Sequence, residues 1–171
     1  MEIRLIIRYG IYFVALVLLQ TLLFNYVSLG TGLVPFVYIL ALLLLPIDIQ
    51  NWILLIFAFV LGFTIDVFND TMALNTSAML FAALLRPGVI QILSPRDGYE
   101  IGTLPSFKNF KPGRFLAFVS IIVFAHQIVF FSLDIFNFSK IGVVFLKTII
   151  NTVLSVAFIM ILHLLFFKNN K

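Results

Sequence analysis

The stretch FAFVLGFTIDVF at residues 57–68 decides the fold class, because it places one carboxylate, Asp66, within a nearly continuous apolar run. An ionisable residue inside a membrane segment is costly, and by default it indicates a functional site. Ala58, Gly62 and Asp66 are spaced four apart, so on a helix they lie on one face. Small residues at this spacing let a neighbouring helix approach closely. The stretch therefore predicts a membrane helix with a small-residue contact face.

The composition extends this prediction to the whole chain. Of the 171 residues, 63% are hydrophobic and only 11% are charged, which is more apolar surface than a soluble domain of this size can bury. The apolar runs are long and continuous, whereas outer-membrane barrels show alternating segments of roughly ten residues. No cysteine is present, so disulfide and thiolate chemistry are excluded. We predict an all-α integral membrane protein.

Six apolar segments are predicted to form one transmembrane bundle, and they lie at residues 9–26, 34–46, 52–68, 72–93, 115–133 and 141–167. The second segment is short, since about 20 apolar residues are needed to cross a bilayer core of ~30 Å. It either spans as a tilted helix or re-enters from one side, and both interpretations are open.

The distribution of basic residues predicts the orientation of the bundle. Residues 94–113 form a connector that contains proline and glycine and is rich in lysine and arginine. Lysine and arginine concentrate on the cytoplasmic side of membrane proteins, so the connector and both termini are predicted to face the cytoplasm. The basic residues on this side are Arg4, Arg8, Arg96, Lys108, Lys111, Arg114, Lys168 and Lys171, against Lys140 alone in an outer loop.

Two charged residues lie at similar depth near the outer boundary, estimated from a rise of about 1.5 Å per residue. They are Asp66 and Lys147. One hypothesis is an ion pair between them, and the alternative is that each side chain reaches the nearby interface separately. Near the inner side, a pair between Arg86 and Asp48 is a further hypothesis.

A second polar set lies near the middle of the predicted bundle: Gln20, His126, Gln127 and Asn151. Such side chains usually form hydrogen bonds across helices. The sharper interpretation is a polar ligand pocket. A proton shuttle through His126 is not favoured, because no carboxylate is predicted at its depth.

The sequence contains no motif typical of an enzyme. Its two histidines, His126 and His163, are predicted at different depths, and there is no Walker loop, no HExxH and no GxSxG motif. We therefore expect no catalysis, no metal, no cofactor and no nucleic-acid partner. The small pairs Ala58 with Gly62 and Ala78 with Ala82 predict helix contacts, which serve either a partner or the internal bundle.

Residues 59–75 resemble the signature region of the MreD family of rod shape-determining membrane proteins. In that family a glycine-containing helix ends in an aspartate, followed by a hydrophobic pair, a short polar turn and a helix rich in small residues. Gly62 and Asp66 occupy these positions here. The run Val34-Pro35-Phe36, the chain length, the basic N-terminus, Gln20 and Asn151 also match. The sequence departs at Ala73-Leu74, where the family commonly has a glycine.

This resemblance implies a non-enzymatic scaffold subunit of the cell-elongation complex in the bacterial inner membrane. Its expected partners are MreC and, through MreC, the actin-like MreB, the glycosyltransferase RodA and a class B penicillin-binding protein, in contact with membrane lipid. Structural or partner-contact roles are expected for Pro35, Ala58, Gly62, Asp66, Ala78, Ala82 and Lys147.

The family is also thought to resemble the six-helix substrate-binding components of energy-coupling-factor vitamin transporters. This kinship implies an alternative function as a small-molecule binding component. Its pocket would be formed by Gln20, His126, Gln127 and Asn151.

Overall fold

The computed structural model describes residues 3–24, 33–95, 98–100 and 102–166, and every regular element among them is helical. Seven α-helices lie in these ranges: α1 (Ile3–Leu19), α2 (Ile39–Leu43), α3 (Asn51–Asn69), α4 (Leu74–Leu93), α5 (Phe107–Phe110), α6 (Pro112–Ile135) and α7 (Ile141–Phe166). A π-helical turn, Gln20–Phe24, continues α1, and a 3-10 turn, Phe138–Lys140, precedes α7.

Four helices are long and apolar enough to cross a membrane: α3, α4, α6 and α7. Even the shortest, α3 with 19 residues, is roughly 29 Å long at 1.5 Å per residue. Their bounds lie within three residues of the predicted segments. The sequence pattern located these helices well because each is long and predominantly apolar and lies between polar turns.

The first two predicted segments differ from this pattern. In the first, the apolar helix covers Tyr9–Phe24 and is shorter than the four spanning helices, while residues 25 and 26 lie outside the described part of the chain. The second was predicted over 34–46, but only Ile39–Leu43 is helical. Five helical residues rise only about 7.5 Å, so α2 is not a spanning helix.

Residues 33–46, here called the crossing segment, nevertheless run through the interior of the bundle. Tyr38 contacts Asn75 at the start of α4, and the carbonyl of Pro46 accepts a hydrogen bond from Arg86 near the end of α4. The segment therefore passes from one end of α4 towards the other and does not return to the side it entered. Irregular backbone at membrane depth is tolerated only where protein or a cavity surrounds it, and residues 35–45 are all buried.

α4 lies at the centre of the fold. It packs against α3 on one side and α6 on another, and α6 in turn packs against α7. The turn from α3 to α4 requires left-handed backbone at Asp70 (φ 52°) and Ala73 (φ 59°). The end of the bundle at this turn, where α3 and α6 end and α4 and α7 begin, is called the outer end. The connector lies at the opposite end, where the N–H of Ile47, the residue just after the crossing segment, donates a hydrogen bond to the Thr103 carbonyl (3.1 Å).

Candidate functional site

Asp66 caps the N-terminus of α4 from the preceding helix. The residue before α4 is Ala73, which has no side-chain oxygen to accept a capping bond. The backbone N–H groups of Asn75 and Thr76 instead donate to the two oxygens of the Asp66 carboxylate, at 3.0 and 2.8 Å. These N–H groups have no partner within the helix, and a negative charge at a helix N-terminus is favourable. The carboxylate thus locks the α3–α4 hairpin.

Three side-chain donors complete the environment of this carboxylate. They are the hydroxyls of Thr71 and Thr76, each at 2.5 Å, and the amide of Asn75 at 3.0 Å. Asp66 is only 4% exposed. A buried carboxylate is tolerated when hydrogen bonds replace its hydration, and here five donors do so without a cation.

The hypothesised Asp66–Lys147 ion pair is not formed in the structure. The Lys147 ammonium lies instead 5.7 Å from the centre of the Phe131 ring. Equal depth along two helices does not bring side chains together when the helices are not neighbours in the bundle. α3 packs chiefly on α4, whereas α7 packs chiefly on α6.

The small-residue stripe of α3 contacts α4 within the same chain. A Cβ atom added at Gly62 would lie 2.5 Å from the Cα of Thr76. The backbones of α3 and α4 therefore approach so closely at this position that only glycine fits. Ala58, Ala78 and Ala82 are also fully buried. These predicted partner-contact residues therefore serve the internal bundle, which was the alternative interpretation.

Side chains from α7 and from the π-helical turn after α1 hold the start of the crossing segment. The N–H of Val34 donates to Asn151 (3.1 Å) and the N–H of Phe36 donates to Ser155 (2.9 Å). The N–H of Val37 donates to the side-chain carbonyl of Gln20 (2.8 Å). The N–H groups of Val34, Phe36 and Val37 thus each have a side-chain acceptor, as buried backbone requires.

Pro35 occupies the one position between Val34 and Phe36, and it has no N–H to satisfy. It is buried between two residues whose N–H groups are both bonded to α7 side chains. α7 thus provides acceptors for the N–H groups of Val34 and Phe36, and Pro35 lies between them, where no acceptor is needed.

The polar residues predicted near the middle of the bundle, here called the middle polar layer, form hydrogen bonds within the fold. They are Gln20, His126, Gln127 and Asn151. Gln20 and Asn151 hold the crossing segment, and the Gln127 amide donates to Ser155 at 2.9 Å. His126 Nε2 lies 2.7 Å from the Tyr38 hydroxyl. The structure thus fits the interpretation of hydrogen bonding between elements.

One chain of hydrogen bonds joins the layer to the Asp66 lock. The Tyr38 hydroxyl donates to the Asn75 side-chain oxygen at 2.9 Å, and Asn75 donates to Asp66. Because the single Tyr38 proton is directed to Asn75, the bond between Tyr38 and His126 requires a proton on His126 Nε2. Because the Asn75 amide does not titrate, this chain orients its members and does not conduct protons.

Sequence reasoning missed three members of this network: Tyr38, Asn75 and Ser155. Tyr38 lies in an otherwise apolar run, and its hydroxyl was not counted as polar. Ser155 follows Asn151 by four residues on α7, so helical spacing offered a signal that both side chains face the same neighbour.

Arg86 holds the other end of the crossing segment. Its guanidinium donates to the carbonyls of Leu45 (2.5 Å) and Pro46 (3.3 Å), just after α2 ends. A cation is favourable at the C-terminal end of a helix, where carbonyls lack partners. The hypothesised pair with Asp48 is not formed, because that carboxylate accepts instead from the N–H of Gly102 (3.1 Å) in the connector.

A cavity of about 500 Å³ lies at the outer end beside these elements. Aromatic side chains form much of its wall, and Gln20, Asn75 and Lys147 contribute polar groups. Of the predicted middle layer, Gln20 lines this cavity, while His126, Gln127 and Asn151 do not. Within the described ranges, no three His, Cys, Asp or Glu side chains group closely enough to hold a metal ion.

The chain was compared with protein-family models, with curated proteins and with solved structures. None of the three comparisons finds a match.

Proposed function

We propose that this protein is a non-enzymatic scaffold subunit of the bacterial cell-elongation complex, similar to MreD and embedded in the inner membrane. It binds an MreC-like membrane protein and, through it, MreB, RodA and a class B penicillin-binding protein. In this role it supports lateral peptidoglycan synthesis and control of cell shape.

The main support is that the residues carrying the resemblance belong to connected contacts although they are distant in sequence. Asp66 caps α4 and connects through Asn75 to Tyr38, the residue two positions after Phe36. Gln20 and Asn151 fix the same crossing segment. These contacts have a physical role. The membrane interior offers no water to a buried backbone group or charge, and the side chains of the motif supply the missing hydrogen bonds.

The departure of this sequence from the MreD pattern also has a structural counterpart. Ala73 adopts a left-handed backbone with φ 59°, a conformation that glycine takes without steric cost. The geometry of this turn therefore favours glycine, the residue that the family commonly has at Ala73-Leu74. The turn tolerates alanine here while keeping the conformation that suits glycine.

The proposed architecture has six membrane crossings. Four are the long helices, the fifth is α1 with its π-helical turn, and the sixth is the broken crossing segment. This count agrees with the six-helix substrate-binding components of energy-coupling-factor transporters, to which the MreD family is thought to be similar.

The scaffold role places partner contacts on the outside of the helices. The small pairs predicted for that purpose are buried, but α3 exposes Phe59, Phe63 and Val67. Packing between membrane helices depends on close fit and not on a hydrophobic driving force. The exposed face of α3 is rigid because the Asp66 lock fixes its end to α4.

The deciding experiment depletes the protein in its source bacterium and purifies the tagged protein from membranes. Rounded cells and recovery of an MreC-like partner are expected. Cells that keep their rod shape, with a purified protein that carries one equivalent of a small molecule and no such partner, would overturn the scaffold proposal. That outcome would instead support the alternative, a binding component of a vitamin transporter.

A further inference from the structure

The outer cavity contains a cation that has no acidic partner among the described residues. Lys147 lines the cavity and is half-buried, six residues after the start of α7. Its ammonium makes no ion pair with any described residue, and it lies 5.7 Å from the centre of the Phe131 ring. An ionisable side chain in a membrane segment is a functional-site hypothesis by default.

Two acidic side chains, Asp66 and Asp134, are candidate partners of Lys147, and neither forms an ion pair with it. The two oxygens of Asp66 accept five hydrogen bonds from Thr71, Asn75 and Thr76. Asp134 lines the same cavity but is exposed and forms no ion pair with Lys147. The positive charge of Lys147 is therefore available to a group that enters the cavity.

The wall next to this charge is aromatic. Phe36 lies at its centre, with ring centroids 4.9 Å from Phe130 and 6.3 Å from Phe131, and Tyr38 is also 6.3 Å away. All four residues line the cavity. Aromatic faces and edges pack well against a flat apolar group. A volume of about 500 Å³ falls within the range of roughly 300–1,000 Å³ typical of small-molecule sites.

We propose that this cavity binds an amphiphilic anion, with a carboxylate or phosphate at Lys147 and an apolar body against Phe36 and Phe130. Besides Lys147 and the aromatic residues, the wall includes the exposed carboxylate of Asp134 and neutral polar side chains such as Gln20 and Asn75. Small-molecule sites combine apolar and aromatic walls with a small number of polar groups that fix the orientation of the ligand. The site goes beyond the scaffold role, which requires no ligand, and cell shape plays no part in its test. The anionic group can belong to an outer-leaflet lipid or to a water-soluble acid.

The test measures binding to the full-length protein in nanodiscs of phosphatidylcholine. The soluble arm titrates 1-naphthoate by calorimetry, and the lipid arm adds phosphatidylglycerol and counts bound lipids by native mass spectrometry. One equivalent is expected in at least one arm. Lys147→Gln is expected to weaken that binding about ten-fold, because a charge-assisted contact is lost, while Lys147→Arg retains it.

Lys140→Gln is the matched control, since Lys140 is an exposed lysine at the outer end that does not line the cavity. It is expected to bind like the wild type. The Lys147 ammonium makes no hydrogen bond to the part of the chain that the structure describes, so Lys147→Gln is expected to fold, and Lys147→Met provides a second uncharged variant. Absence of binding in both arms, equal binding by the wild type and the uncharged variants, or an equal loss in Lys140→Gln would each overturn the proposal.

Discussion

Replacing Asp66 with asparagine tests whether the carboxylate holds α4 in place. Asparagine keeps one oxygen and puts an NH₂ group where the second oxygen was. Either orientation of the amide therefore leaves the N–H of Asn75 or that of Thr76 facing another donor. An unpaired buried donor costs ~1–3 kcal/mol, and loss of the charge at a helix N-terminus costs ~0.3–1 kcal/mol. We expect the free energy of unfolding to fall by about 2–3 kcal/mol.

The measurement is reversible unfolding of the purified protein in mixed micelles, followed by steric trapping or by titration with a denaturing detergent. Asp70→Asn is the control. It removes the same charge four residues later, where the Asp70 side chain is exposed and makes no hydrogen bond to any described residue, and asparagine tolerates the left-handed backbone there. This control should stay within about 0.5 kcal/mol of the wild type. Equal values for Asp66→Asn and Asp70→Asn would show that the capping bonds contribute nothing and would refute the reasoning.

Three further substitutions probe the internal contacts, each measured by the same unfolding assay. Gly62→Ala puts a Cβ 2.5 Å from the Cα of Thr76 and should lower the free energy of unfolding by ~1–3 kcal/mol through overpacking. In its control, Gly10→Ala, the added Cβ meets nothing within 4 Å and stability should not fall, so equal effects would contradict the close approach of α3 and α4. Ser155→Ala leaves a buried N–H of the crossing segment without its acceptor and should cost ~1–3 kcal/mol; a neutral result would mean that water replaces the hydroxyl. Arg86→Met leaves the carbonyls after α2 without their donors and should also destabilise the fold by ~1–3 kcal/mol. A more stable variant would show that the desolvation of the buried guanidinium costs more free energy than its hydrogen bonds contribute.

The sequence located the spanning helices because the membrane imposes a simple pattern on them. α3, α4, α6 and α7 each need a long apolar run, and this run is visible without any knowledge of their neighbours. The crossing segment shows the limit of that pattern. Its residues are as apolar as those of a spanning helix, but Pro35 and Pro46 restrict its helix, and hydrogen bonds from three other helices support the irregular part.

The candidate site was predicted only in part. Asp66 was recognised as unusual because a charge in an apolar run is conspicuous, and its assignment to a helix junction agrees with the capping bonds. An ion pair with Lys147 was one of two hypotheses drawn from depth, and it is not formed because depth along separate helices does not determine which helices are neighbours. Tyr38 and Ser155 gave little signal, since a hydroxyl among apolar residues gains importance only from the group it faces.

The sequence alone determined the class of protein, the four long helices and the position of the charge at Asp66, because these depend on composition and on local periodicity. The tertiary structure decided which groups meet. It turned the small-residue stripe inward onto α4 and directed Gln20 and Asn151 to the backbone of the crossing segment. It also left Lys147 in a cavity with aromatic walls. These outcomes depend on how helices distant in sequence pack together, and hydrophobicity specifies that packing poorly when every helix is apolar on all sides.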